Sequence, residues 1–148
     1  MLSIQVKIFN ELTINELYEL LQLRSEVFVI EQDCVYQDID YKDQKALHIL
    51  GVKNGKIVAY TRVFKPSDYF EEASIGRVVV AENKRKFKYG YDIMEASIKA
   101  ILEYYNETKI KISAQTYLKK FYNNLDFKQI GEEYLEDGIP HIAMLKKD

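Results

Sequence analysis

Apolar residues along this chain follow two rhythms, and the switches between them mark out the elements. Residues 3–9 alternate, with Ile4, Val6 and Ile8 on one side, the period of a half-buried strand. The spacing then lengthens. Leu17, Leu20, Leu21, Val27 and Phe28 recur at helical intervals behind a Thr13–Glu16 capping box, with Leu12 and Leu17 placed as a hydrophobic staple. Arg24 falls on or beside that stripe and reads as a rim arginine whose stem covers apolar surface. Residues 28–43 have no period and carry Glu31, Asp33, Asp38, Asp40 and Asp43. They predict an acidic surface loop or a lid that attracts a cationic partner.

Strands follow at 47–53 and 56–64, joined by Asn54-Gly55, the residue pair of a type I′ hairpin. Residues 65–73 are polar, contain Pro66 and read as a loop. Ile75 and Val78, Val79 and Val80 form a β-branched run suited to a strand covered on both faces. Beyond it Lys84, Arg85, Lys86 and Lys88 surround Phe87, and Gly90 opens a helix with Met94, Ile98, Ile101, Leu102 and Tyr105 on one face. A strand at 109–114, a short helix at 117–125 and a strand at 127–134 come next. An Asp137-Gly138 turn leads to a last strand at 140–145, with Pro140 tolerated at its first position. The order β-α-β-β-β-α-β-α-β-β predicts one α/β (α+β) domain over residues 1–148, a mixed sheet with helices on its faces.

Composition narrows the function classes. A chain of 148 residues with 47% hydrophobic and 30% charged residues has the makings of a packed core and excludes disorder. The net charge of −2 gives no bulk attraction to nucleic acid. The four cations at 84–88 neutralise too few phosphates for strong binding at physiological salt. Cys34 is the single cysteine, so no intrachain disulfide framework exists. With no apolar run of membrane-spanning length and no signal-peptide core, a cytoplasmic protein without a membrane partner is expected. His48 and His141 are the only histidines, and with Cys34 they make no metal-ligand spacing, so no metal is expected.

The basic turn carries the clearest chemistry. Backbone N–H groups at a helix start, flanked by cations, suit a di- or triphosphate. Arg85-Lys86-Phe87-Lys88-Tyr89-Gly90 resembles the R/Q-x-x-G-x-G/A motif of the Gcn5-related N-acetyltransferases, with Lys88 in place of the first glycine. Arg24, Val27, Phe28, Glu31, Gln32, Cys34 and Tyr36-Gln37-Asp38-Ile39-Asp40 are similar to the ElaA-type branch of that family. They are more faintly similar to the acyl-homoserine lactone synthases. Residues 115–127 resemble the family's N-x-x-A-x-x-F-Y-x-x-x-G-F, keeping Phe121, Tyr122 and Phe127 but carrying Gln115, Leu118 and Asp126 at the Asn, Ala and Gly positions.

The resemblance implies acetyl-CoA as co-substrate and a primary amine, on a small molecule or a peptide, as acceptor; a homodimer is compatible with it. Val78, Val79 and Val80 would pair with the pantetheine arm and supply an oxyanion N–H. Arg85, Lys86, Phe87, Lys88, Tyr89, Gly90, Tyr91 and Gln115 would hold the coenzyme. Tyr122 would lie near the thioester sulfur as a hydrogen-bond donor. Asp38, Asp40, His48, Arg77 and His141 are expected on the acceptor side. The base that deprotonates the amine is left open among Glu31, the carboxylate most embedded in the ElaA-like match, Asp38, Asp40, Glu136, His48 and His141. Two other readings stay open: a coenzyme-binding fold without catalysis, suggested by the missing glycine and Asn, and use of a different acyl donor. No signature supports Cys34 as a nucleophile.

Overall fold

The computed structural model describes residues 2–148. Its elements follow the expected order: β1 (Ser3–Ile8), α1 (Ile14–Arg24), β2 (Leu47–Lys53), β3 (Lys56–Phe64), β4 (Ala73–Val80), α2 (Tyr89–Tyr105), β5 (Ile110–Gln115), α3 (Lys119–Asn123), β6 (Lys128–Glu136) and β7 (Ile139–Lys146). Seven strands form one sheet in the order β1-β2-β3-β4-β5-β7-β6. Every pairing is antiparallel except that of β4 with β5.

Thr13 caps α1 as the capping box requires: Glu16 N donates to Thr13 Oγ1 at 3.0 Å, and Thr13 N donates to Glu16 Oε1 at 2.9 Å. The helical path does not stop at Arg24. Ser25–Glu31 continue it as a wider π turn, so Phe28 to Glu31 are helical rather than the start of the loop. Both hairpin turns hold the left-handed backbone that their sequences call for, at Asn54 (φ 52), Gly55 (φ 77), Asp137 (φ 51) and Gly138 (φ 77).

Successive residues of a strand point to opposite faces, and the core divides accordingly. Ile49, Val63 and Ile75 pack with Ile93, Met94 and Ile101 of α2 on one face. Leu50, Ile57 and Tyr60 pack with Leu20, Leu23 and Val27 of α1 and the π turn in the second cluster. The central strands are therefore covered on both faces, as their near-continuous apolar run demands.

Lys88 sits at the entry to α2 in the left-handed region, φ 63 and ψ 24. The position where the related motif has glycine does require that backbone here, and a lysine adopts it at a cost of about 1–2 kcal/mol. Lys88→Gly should raise the free energy of unfolding by about 0.5–1 kcal/mol, strain relief outweighing the greater freedom of the unfolded chain. Lys88→Val, β-branched in the same backbone, should lower it. Urea unfolding of the three proteins checks both signs.

Candidate active site

β4 and β5 pair only at Ala73–Ile110 and Ser74–Lys111, although both strands run on. Past that point they part, and a cleft of about 570 Å³ opens between them. Gly76, Arg77, Val78, Val79 and Val80 line one wall, and Ile112, Ser113 and Gln115 the other. β4 is also bulged. Tyr60 pairs with Val79 and Arg62 with Gly76, leaving Arg77 and Val78 opposite Thr61 alone. Arg77 takes the strained turn of that bulge at φ 49. The consequence is a stretch of β4 bonded to β3 on one edge, with the facing edge free of a strand partner. An extended polyamide arm can add to such an edge as a strand would.

The β4 edge leads directly into a 3-10 turn (Glu82–Phe87) and the N-terminus of α2. Of the three cations in this turn and Lys88 just after it, Arg85 and Lys88 line the cleft. Lys84 and Lys86 instead lie over the Phe87 ring, 5.9 and 5.4 Å from its centroid, and Phe87 in turn stacks on Tyr89. Lys86, Phe87 and Tyr89, expected to touch the coenzyme, are not among the lining residues; Tyr89 is buried in the core beneath the turn. Gly90 does line the cleft. A Cβ there would meet the Phe121 ring at 3.3 Å, so the glycine lets α2 approach α3 closely. Tyr91 packs on the same ring, 4.7 Å between centroids.

Glu31, a candidate base in the sequence, is committed elsewhere. Both its carboxylate oxygens accept from Arg85, at 2.5 and 2.7 Å. Those hydrogen bonds and the guanidinium charge hold its carboxyl below the usual range. A carboxylate so stabilised is a weak base, and it stands beside the turn that enters α2. The side of the cleft formed by α3 carries Tyr122, buried at 5% exposure, with burial pushing its hydroxyl pKa well up.

The acidic loop has a different role from the expected one. Asp38, Asp40 and Asp43 are engaged by three arginines. Arg24, 0% exposed rather than at the rim, donates from Nε to Asp38 Oδ2 (2.8 Å) and from Nη1 to Asp43 Oδ1 (2.7 Å). Arg62 donates from Nη1 and Nη2 to the two oxygens of Asp40, at 2.7 and 2.9 Å. Arg77 Nη2 donates to the Asp38 carbonyl at 3.0 Å, and its Nε lies 2.7 Å from Asp38 Oδ1 but off the N–H direction. His48, also 0% exposed, donates from Nε2 to the Asp43 carbonyl (2.9 Å) and accepts at Nδ1 from the Tyr60 hydroxyl (2.6 Å). Asp38, Asp40 and His48 are thus structural, and none of them lines the cleft. What this layer presents to the cleft is Arg62 and Arg77, beside Tyr36, Phe64, Tyr69 and Phe70. Arg62 was missed in the sequence reading. Its signal was a charge inside the strand, past Lys56 at its start, among neighbours that are apolar or small.

His141 does line the cleft, as do Gln115 and Glu136. Cys34 lines it too, its thiol donating to the Asp137 carbonyl at 3.4 Å, and no histidine is its partner. Among the described residues no group of His, Cys, Asp and Glu is gathered to hold a metal ion, and no helix is long and apolar enough to cross a membrane.

A family model described as an acetyltransferase (GNAT) domain matches residues 12–147. Protein ElaA of Escherichia coli (strain K12) is 43% identical over 140 residues, 93% of this chain and 92% of that protein. Its crystal structure superposes with a TM-score of 0.92, covering 99% of this chain and 100% of that one. An acyl-CoA N-acyltransferase from Pseudomonas aeruginosa is 38% identical with a TM-score of 0.93, covering 99% of each chain. A CoA-dependent acyl-homoserine lactone synthase, at 16% identity and a TM-score of 0.76 over 98% of this chain and 82% of that one, shares the fold alone.

The arginine–aspartate layer generates a pH prediction. Burial alone would push the Asp40 carboxyl up, but the hydrogen bonds and charge of Arg62, with Arg77, hold it down at about 2. Asp43 is likewise held low: Arg24 and Arg62 outweigh its burial. Because the unfolded carboxylates titrate near 3.9, their stabilisation is fully present above about pH 5 and is lost as pH falls from about 4 through the folded values. Urea unfolding between pH 7 and pH 2 should show that loss, and Asp40→Asn should flatten it while lowering stability at pH 7. Arg24→Met, which removes one arginine partner from each of two buried carboxylates, should cost about 3–5 kcal/mol at pH 7.

Proposed function

Because the chain belongs to the Gcn5-related acetyltransferase (GNAT) family, we propose that it moves an acetyl group from acetyl-CoA directly to a primary amine of a small-molecule or peptide acceptor. The observation that carries this reading is the unpaired edge of β4 running into the α2 N-terminus, where Arg85 and Lys88 face the same cleft. Amides of a pantetheine arm suit the edge, and a pyrophosphate suits the helix start with its two cations. The donor set therefore fits coenzyme A, which when bound supplies the activated acyl group.

The chemistry sets demands on the chain's own residues. A basic amine has a pKa of roughly 10.4, so about one molecule in a few thousand is nucleophilic at pH 7 and a proton must be removed. The leaving thiolate has a pKa of roughly 8.5, far below that of the buried Tyr122 hydroxyl. Tyr122 therefore keeps its proton and acts as a hydrogen-bond donor to the developing thiolate. Peptide N–H groups in the Val78–Val80 stretch are oriented by the β3–β4 ladder, and such preorganised donors stabilise an oxyanion most strongly in a dry site.

The Glu31–Arg85 pair bears on coenzyme binding. A phosphate reaching Arg85 must share it with Glu31 or displace Glu31, so the pair weakens coenzyme affinity while it orders the guanidinium. Glu31→Gln should tighten coenzyme A binding several-fold, and Arg85→Ala should weaken it by about 1.5–3 kcal/mol, the worth of a charge-assisted bond. Calorimetry with coenzyme A distinguishes these from no effect.

Thiol release from acetyl-CoA, measured against a panel of amines, polyamines and peptides, tests the activity itself. Turnover with at least one amine is expected. Tight coenzyme binding with no thiol release from acetyl-CoA or longer acyl-CoAs would leave a binding protein instead. Tyr122→Phe should lower kcat about 10²-fold, the lower end of the range for general-acid assistance, with coenzyme affinity nearly unchanged.

A further inference from the structure

Deprotonating an amine calls for a base, and one array on the far wall of the cleft meets its requirements. Directly opposed residues of neighbouring strands share a face, and so do residues two apart on one strand. Gln115 of β5 opposes His141 of β7, which opposes Tyr134 of β6. Ser113 and Glu136 stand two residues away on β5 and β6, so all five side chains fall on one face. A bulge in β6, three residues opposite Ile142 alone, sets the register that aligns Tyr134 and Glu136 with His141.

The hydrogen bonds within this array have a direction. His141 Nδ1 lies 2.7 Å from the Ile139 carbonyl, which can only accept, so Nδ1 carries the proton. In the neutral ring Nε2 is then the bare nitrogen. Its neighbour is Glu136 Oε2 at 3.5 Å, another acceptor. No proton lies between two facing lone pairs until Nε2 takes one. Glu136 is itself fixed: Ser113 Oγ donates to its Oε1 at 3.0 Å, and the Tyr134 hydroxyl is hydrogen-bonded to Ser113 Oγ. The Tyr134 ring stacks beside the imidazole, 6.2 Å between centroids. Asp137, whose carbonyl holds the Cys34 thiol, completes the polar surroundings. His48, the other histidine, has both ring nitrogens occupied and is sealed from the cleft.

We propose that His141 is the proton acceptor for the amine, its basic Nε2 set by the Ile139 carbonyl, with Glu136 as the positioning residue that stabilises the imidazolium. This rests on the acetyl-transfer reading. The acceptor ammonium gives one proton to Nε2, and the freed nitrogen lone pair forms the N–C bond. The C–S bond breaks with its electron pair on sulfur. The second proton lost by nitrogen goes to the thiolate, giving an amide, a free thiol and protonated His141, which returns its proton to water. The preferred acceptors are accordingly strongly basic aliphatic amines, which need such a base.

Two measurements test this. Long-range ¹⁵N–¹H NMR of the imidazoles needs no acceptor, and with two histidines in the chain assignment is direct. In its neutral form His141 should be the Nδ1–H tautomer, and an Nε2–H tautomer overturns the proposal. The second is the ratio of kcat/KM for an aliphatic amine that the enzyme uses to that for methoxyamine, whose nitrogen is already unprotonated at neutral pH. In His141→Gln that ratio should fall by about 10²–10⁴, and in Glu136→Gln by a smaller factor in the same direction. A merely structural role would lower both rates together and leave the ratio unchanged, which also overturns the proposal. Wild-type protein that releases no thiol with any amine would instead sink the transfer reading, and the tautomer would still be decided by NMR.

Discussion

Three arginines and three aspartates, four of them buried and Arg77 and Asp40 partly so, lie between the segment that follows α1 and strands β3 and β4 and form the interaction on which the site geometry depends. Their formal charges cancel. Burying charges is tolerable only when each finds partners, because the desolvation penalty otherwise exceeds the attraction. Here the guanidiniums of Arg24 and Arg62 each bridge two carboxylates, and Arg77 reaches across from the β4 bulge to the loop. The layer therefore ties a region with no regular backbone hydrogen bonding to the middle of the sheet. It also fixes which groups the loop offers to the cleft. The carboxylates are consumed, and the guanidiniums of Arg62 and Arg77 with the Tyr36 ring remain.

The same tie helps explain a strained backbone at Arg77. A non-glycine residue at positive φ persists where its surroundings over-determine it, and here the β3 ladder on one side and Asp38 and Asp40 on the other do so. The bulge turns the end of β4 away from β5, and the parallel pairing ends after two residue pairs. Unpaired strand edges are usually protected because they invite association. In this fold the exposed edge lies inside a cleft, where a ligand's amides can use it and another chain's strand has little access.

The ionisable groups at the two parts of this cleft have different hydrogen-bond partners. Glu31 is paired with Arg85 beside the turn that enters α2 and loses basicity in the process. His141 is left with an uncommitted nitrogen on the β7 wall, whereas the Asp43 carbonyl and the Tyr60 hydroxyl occupy both nitrogens of His48. Two histidines and several carboxylates of similar chemistry thus differ in role through their hydrogen-bond partners alone. For Tyr122 burial is the cause instead, pushing its hydroxyl pKa up so that it keeps its proton.

Local signals in the sequence determined the element order, the Thr13 cap, the two glycine hairpins and the left-handed demand at Lys88. Each of these depends on residues a few positions apart, where periodicity and steric rules act directly. The related motifs also pointed to the cleft walls at Val78–Val80, Arg85 and Tyr122. Long-range pairing decided the rest. Nothing within residues 28–43 distinguishes an aspartate that meets a ligand from one that meets Arg24, 14 or 19 positions away. Arg24 looked like a rim residue because helical spacing records which face it is on, not whether carboxylates wait beyond that face. Lys84 and Lys86 differ from Arg85 only in which way the turn aims them, which the packing of Phe87 on Tyr89 settles. The tautomer of His141 depends on a carbonyl two residues back whose direction is set by the β6–β7 hairpin. Charge and proton chemistry depend on partners distant in sequence, and only the folded sheet brings those partners together.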